Sequence, residues 1–267
     1  MTALEIAVTS AQGARTAYRC GADRVELCAA LEVGGLTPSA GLLDTTLAGL
    51  AELASPVPDA GHPWQGVHVL IRPRPGDFVY DADDLATAAA EVRAVCRAGA
   101  QGVVVGALTG DGDVDTAALR LLADTARESA PQVTVTFHRA FDQVASVTHA
   151  LAELLDLGVV DRVLTSGGKA AAGQAAGELA GLADQSAGRI EIMAGGGVRL
   201  DDIPALTAAG VDAIHLSAKR RVAGAGARVA LGSGDDPGAS FVTDAGQVSQ
   251  AAAALGATGR LLIPSAG

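Results

Sequence analysis

The amino-acid sequence predicts an α/β protein built as a single (β/α)8 barrel, and three observations predict it. A glycine phrase recurs four times, as Gly21-Ala-Asp-Arg-Val-Glu-Leu, Gly99-Ala-Gln-Gly-Val-Val-Val, Gly158-Val-Val-Asp-Arg-Val-Leu and Gly210-Val-Asp-Ala-Ile-His-Leu. Each joins a glycine suited to a helix C-terminus to a polar turn and then a β-branched run. Other strand candidates lie near residues 4–9, 67–72, 133–138 and 190–194. The two sets alternate, so strands start near 4, 24, 67, 102, 133, 161, 190 and 213, and the phrase introduces every even-numbered one. Helical patterns fill the gaps. Eight strands in regular alternation with helices favour closure as a TIM barrel over a doubly wound open sheet.

The helices follow in order. Thr37 with Pro38 reads as an N-cap and first-turn pair opening a helix to about Leu53. Asp81 to Arg97, Asp115 to Arg127, Ser146 to Leu157, Lys169 to Asp184 and Asp201 to Ala209 come next. Thr243-Asp244 caps a last helix reaching about Leu255. Ala218 to Ser240, rich in Gly, Arg and Asp, reads as a long loop after the eighth strand, on the catalytic face of a barrel. No second domain is visible.

Composition narrows the partners. Hydrophobic residues make up 49% of the 267, enough for a large core. Aromatics are 3%, which argues against a base-stacking surface, and a net charge of −11 argues against phosphate backbones and anionic membranes. No apolar run approaches the roughly 18 to 20 residues of a membrane span. The start, Met1-Thr2-Ala3-Leu4-Glu5, has neither the basic region nor the apolar stretch of a secretory signal. Cys20, Cys28 and Cys96 form no CxxC spacing and read as reduced thiols in the cytoplasm.

The functional clue is ionisable residues inside strands. Leu4-Glu5-Ile6, Val25-Glu26-Leu27, Val67-His68-Val69, Leu70-Ile71-Arg72, Phe137-His138-Arg139, Ile192-Met193 behind Glu191 and Ile214-His215-Leu216 all carry one. Burying such groups is costly unless each finds a partner. Period-two alternation puts Glu5, Ala7 and Thr9 on one face, and likewise Arg24, Glu26 and Cys28. Taking the polar parity as inward gathers Glu5, Glu26, His68, Arg72, His138 and His215 round one axis, with Arg139 at the loop junction. His62 and His149 remain as surface residues. The plain alternative is a paired ionic core. Ala194-Gly195-Gly196-Gly197-Val198 after the seventh strand, with Ser217 and the Thr165-Ser166-Gly167-Gly168 loop, offers an anion cradle; a tight turn is the alternative. Asp142 is placed to orient Arg139 or His138.

Three blocks then read together. They are Ala22-Asp-Arg-Val-Glu-Leu-Cys-Ala-Ala-Leu-Glu-Val-Gly-Gly-Leu-Thr-Pro-Ser39, Val67-His-Val-Leu-Ile-Arg-Pro-Arg74 with Gly76-Asp-Phe78, and Thr136-Phe-His-Arg-Ala-Phe-Asp142. With Leu164-Thr-Ser-Gly167 and Met193-Ala-Gly-Gly-Gly-Val198, they closely resemble the CutC family, named copper homeostasis proteins. The resemblance runs from about residue 4 to 220 and again near Val242-Thr-Asp244. It implies a cytoplasmic (β/α)8 barrel, often an oligomer (a dimer or tetramer), with copper binding or tolerance as its role. Family members proposed to bind Cu(I) have one cysteine ending the first strand and another ending Glu-Leu-Cys of the second. Cys28 matches the second; Ala7 stands where the first belongs.

Two readings follow. One is a copper-binding factor using Cys28 and a further ligand, since Cu(I) favours thiolates. The other is an enzyme with Glu5, Glu26, His68, Arg72, His138, Arg139 and His215 as its active site. Arginines there suit a small anionic, even phosphorylated, substrate, and Glu with His suits acid/base chemistry of an isomerase, lyase or aldol type. A divalent metal held by the Glu/His ring is a variant of that reading.

Overall fold

The computed structural model describes residues 2–53, 64–222 and 240–256. Eight parallel strands close a barrel in chain order: β1 (Ala3–Val8), β2 (Arg24–Leu27), β3 (Gly66–Leu70), β4 (Gly102–Val105), β5 (Thr134–Phe137), β6 (Arg162–Thr165), β7 (Glu191–Ala194) and β8 (Ala213–Leu216). Helices α1 (Ala11–Arg19), α2 (Ala40–Ala51), α3 (Ala82–Ala98), α4 (Thr116–Ser129), α5 (Val147–Leu157), α6 (Ala176–Ser186), α7 (Ile203–Ala208) and α8 (Ala245–Ala254) complete the units. The main apolar core lies between strands and helices, from Leu4, Ile6, Val25 and Leu27 to Val163, Ile192 and Ile214. Among the described residues no helix is long and apolar enough to cross a membrane.

The inside of the barrel is different. Register and alternation stack the inward side chains in layers of four from alternate strands. Arg24, Gly102, Arg162 and Ala213 form the lowest layer, and Glu5, His68, Thr136 and Met193 the next. Glu26, Val104, Leu164 and His215 lie above them, and Ala7, Leu70, His138 and Gly195 rim the mouth. The small residues are there for their neighbours: a Cβ on Gly102 would strike the His68 ring, and one on Gly106 the His138 ring.

The glycine phrase has a physical reason. Gly21, Gly99, Gly158 and Gly210 all take positive φ (99°, 102°, 67° and 79°), where a side chain is strained. The polar residue that follows each caps the neighbouring odd strand. Asp23 Oδ2 accepts the Leu4 N–H at 2.8 Å, Gln101 Oε1 that of Val67 at 2.7 Å, Asp161 Oδ2 that of Val135 at 2.7 Å, and Asp212 Oδ2 that of Ile192 at 2.8 Å. Four clamps of one design tie the strands in pairs at the N-terminal face, the face that serves stability in such barrels. Asp212→Ala leaves the Ile192 N–H unsatisfied and should cost about 1–3 kcal/mol. A urea-denaturation midpoint equal to that of the wild type would refute the clamp.

Four elements differ from the sequence reading. Helix α1 was not foreseen. Ser39, not Thr37, caps α2, its hydroxyl accepting the Leu42 N–H at 3.2 Å. Thr37 is committed elsewhere: it donates to Glu91 at 2.7 Å and accepts the Arg72 N–H at 2.8 Å. Helix α6 begins at Ala176 rather than Lys169, because Gly167 and Gly168 turn with positive φ (69° and 73°) and a short 3-10 turn, Ala172–Gln174, intervenes. The stretch read as a loop from Ala218 to Ser240 opens and closes as an antiparallel hairpin, β9 (Lys219–Val222) on β10 (Ser240–Thr243), with Lys219 opposite Thr243. Residues 223–239 of that stretch, and His62, lie outside the described residues. His149 is exposed on α5.

Candidate active site

Buried charges on neighbouring strands pair because the register places them side by side. Glu5 lies opposite Arg24 on one flank and opposite His215 on the other. Arg24 Nε donates to Glu5 Oε2 at 2.6 Å, Nη1 to Gln65 Oε1 at 2.5 Å, and Nη2 to the Met193 sulfur at 3.2 Å. Across the barrel Arg162 pairs with Glu191 at 2.6 Å and lies 3.3 Å from Thr136 Oγ1 and 3.4 Å from His68 Nδ1. Both arginines open their strands in the motif Asp-Arg-Val, Asp23-Arg24-Val25 and Asp161-Arg162-Val163; the sequence reading put Arg24 on the face of Glu26 but outside the site, and did not single out Arg162. That repeated triplet was the signal available. His68 therefore belongs to the ionic layers below the mouth; burial and the two arginines take its pKa down to about 3, against the pull of Glu5.

The floor of the mouth is His215 with Glu26. His215 Nδ1 lies 2.8 Å from Glu5 Oε1, and its Nε2 lies 3.8 Å from Glu26 Oε2. Burial alone would raise the Glu5 pKa, but Arg24 and then His215 prevail and hold it well below the usual range. Burial would likewise lower His215, yet the hydrogen bond to Glu5 and the charge of Glu26 carry it upward. Glu26 has no guanidinium beside it. Burial, with a further push from Glu5 and against the pull of His215, raises its pKa to about 7. With Nδ1 on one carboxylate, His215 thus turns Nε2 toward another carboxyl that titrates near neutrality.

The two small rim residues, Ala7 and Gly195, flank β8, and the His215 side chain is 12% exposed. A Cβ on Gly195 would meet Leu164 and, at 3.0 Å, the His215 Cβ. Beyond Gly195 lies a cationic wall. Arg139 Nε donates to Asp142 at 2.8 Å and Nη2 to Ser166 Oγ at 3.1 Å, while the side chain stays 42% exposed. Asp142 is itself fixed by the Thr165 hydroxyl and by the N–H groups of Ser166 and Gly168 at 3.0 and 3.1 Å. Gly196, at φ 94°, lets the guanidinium lie against the backbone; a Cβ there would stand 2.6 Å from its central carbon. Among the described residues the N–H groups of Gly196 and Gly197 have no acceptor. Ser217 follows on β8 two residues beyond His215.

Arg72 and His138 stand apart from this group. Arg72 donates to the carbonyls of Val33, Gly35 and Gly76 at 2.8, 3.0 and 2.7 Å and lies 5.1 Å from the Phe78 ring, so it staples the loops after β2 and β3. His138 Nδ1 accepts the Ala140 N–H at 3.1 Å. Burial and Arg72 keep its ring neutral, with the pKa down to about 3.

Cys28 sits in an apolar niche with Leu70, Val104 and Leu31, its sulfur 3.7 Å from the Val8 carbonyl. Burial, then Glu26 and Glu32, push the thiol pKa far up. Ala7 supplies no second sulfur, and Cys20 and Cys96 are free thiols elsewhere. Among the described residues no three His, Cys, Asp or Glu side chains converge as a metal site.

Comparison with known proteins places this site in a family. The model of the CutC family matches residues 2–220. The chain belongs to the CutC family. A family protein CutC from Vibrio atlanticus (strain LGP32) is 37% identical over 259 residues, covering 95% of this chain and 98% of its own. Another from Salmonella paratyphi B is 43% identical over 218 residues, covering 82% and 80%. A solved CutC structure from Streptococcus agalactiae, named for copper homeostasis, superposes with a TM-score of 0.71 at 27% identity, covering 81% of this chain and 99% of that one.

Proposed function

We propose that this barrel is an acid/base enzyme that moves a proton at a carbon beside a carbonyl in a small anionic substrate, as isomerases, lyases and aldol-type enzymes do. The observation that carries the reading is His215 held between Glu5 and Glu26, 2.8 Å from one carboxyl and 3.8 Å from the other. Glu26 takes the C–H proton as base. His215 Nε2–H gives a proton to the carbonyl oxygen as it gains charge, and the return transfers restore both groups. Arg139, braced by Asp142 and Ser166, anchors the anionic end together with the free N–H groups of Gly196 and Gly197. The ionic layers beneath fix Glu5, and through it the imidazole. The thiols and the family resemblance fit a cytoplasmic protein that assembles as a homo-oligomer.

The test is proton exchange in D2O. A panel of small phosphorylated and carboxylated aldehydes and ketones is followed by 1H NMR for loss of the signal next to the carbonyl. Exchange is expected with the wild type and should fall about 10²–10⁴-fold in Glu26→Gln.

The second reading, Cu(I) binding, is favoured by the name of the Streptococcus agalactiae structure. The residues present do not fit it: Cys28 is a buried thiol, and its expected partner is Ala7. In an anaerobic titration against a chromogenic chelator the protein should fail to compete for Cu(I). Stoichiometric binding that vanishes in Cys28→Ser would restore copper, and a silent exchange panel beside it would retire the enzyme.

A further inference from the structure

We propose that the cavity between the β7–α7 connection, the end of β8 and the first turn of α8 binds the phosphoryl group of a small phosphorylated molecule. The cavity is half open to solvent, has a volume of about 500 Å³, and is lined by Val198 to Asp201, Leu216 to Lys219, and Gln247. Its polar lining is mostly cationic or neutral: Arg199, Lys219, the Ser217 hydroxyl and the Gln247 amide face a single carboxylate, Asp201. Among the described residues neither Arg199 nor Lys219 has an ion-pair partner, although the chain carries 30 acidic residues against 19 basic ones. Lys219 is also held in place, its ammonium 4.7 Å from the centre of the Phe241 ring across the hairpin.

The donors are not those of the helix end. Asp244 already caps α8, accepting the Gln247 N–H at 3.0 Å, and pairs with Arg220 at 3.1 Å. Binding therefore rests on side chains: two cations, a hydroxyl and an amide suit a dianion with three terminal oxygens better than a carboxylate with two. The volume is far larger than an inorganic ion needs and falls in the range of organic ligands. Val198, Leu200, Leu216 and Ala218 supply apolar lining for the body of such a molecule. Ser217 lies two residues beyond His215, so the cavity sits at the end of the strand that carries the imidazole. The phosphoryl group bound here is a second anionic group, separate from the one Arg139 anchors; that the ligand is the substrate rests on the acid/base reading, and that it binds does not.

Isothermal titration of the full chain with phenyl phosphate at constant ionic strength tests this, with phenylacetate as the carboxylate control. Saturable binding of the phosphate is expected, weakened about tenfold or more in Arg199→Ala and in Lys219→Ala. Lys219→Arg should bind as the wild type does. Both side chains are solvent-exposed, and thermal melts establish that the variants fold. No saturation at millimolar ligand overturns the proposal. So does binding that both alanine variants leave intact, which would put the anion at Arg139, and so does equal binding of phenylacetate. Glu26→Gln separates the two readings: it should retain phosphate binding while losing exchange. Exchange without phosphate binding would leave the acid/base reading standing alone.

Discussion

Arg24→Leu is expected to lower stability by about 3–5 kcal/mol, the largest single effect in the barrel outside its apolar core. Arg24 and Glu5 are each 1% exposed, and the guanidinium satisfies Glu5, Gln65 and Met193 at once. Leucine removes that charge and leaves a carboxylate in the middle of the sheet with His215 as its remaining partner. At this chain length the loss corresponds to a melting temperature lower by roughly 10 °C. The sign with pH is fixed by Glu5. Its pKa is held below the ordinary value, so its contribution is present above about pH 4.5 and is lost as pH falls through the native pKa. Arg24→Leu abolishes that contribution, so the deficit should shrink under acid. Adding Glu5→Gln should recover part of the loss at neutral pH, because removing both charges costs less than stranding one. A single variant within 1 kcal/mol of the wild type would mean that Glu5 relaxes toward solvent, contrary to its burial.

The same pairing marks the limit of what the sequence discloses. The glycine phrase and the apolar runs ordered the eight strands, and alternation selected the inward parity, since Glu5, Glu26, His68 and His215 recur at the phase opposite to apolar neighbours facing the helices. Which of these groups would meet depends on register, and register is nonlocal. Glu5 contacts Arg24 and His215 across 19 and 210 residues of chain. Arg72 shows the converse. It has the right phase for a ligand-binding arginine, but the loops of Val33, Gly35 and Gly76 fold over it and use its donors. Helix α1 escaped notice because it packs through Gly13, Ala14 and Ala17, which leave no bulky apolar stripe. The hairpin escaped because Lys219-Arg220-Arg221 shows no alternation, and its partner strand lies beyond residues 223–239. Short-range chemistry was legible; closure of the ring decided the rest.

Glu26→Gln should make the protein more stable above neutrality while removing the proposed proton exchange. Burial and Glu5, opposed by His215, raise the native pKa of Glu26 from 4.5 to about 7. Between those values the native state keeps a proton that the unfolded chain has released, so this group makes stability fall as pH rises through the window. At about 1.4 kcal/mol per pKa unit, the penalty above pH 7 is on the order of 3 kcal/mol. Glutamine keeps the shape of the protonated acid and cannot ionise. The variant should therefore match the wild type near pH 4 and exceed it by about 2–3 kcal/mol at pH 8, read from denaturant midpoints. His215 slopes the same way, because its raised pKa confers stability at low pH that is lost as pH rises; the variant lacks the Glu26 charge that helps raise it, so the difference reports on the Glu26–His215 pair. A purely structural carboxylate would behave oppositely, stabilising when ionised and costing stability when neutralised. A difference that is flat with pH, or a variant weaker at pH 8, would remove Glu26 as the base. A gain in stability coupled to loss of exchange is the pattern of a group kept in an unfavourable place for the sake of reaction.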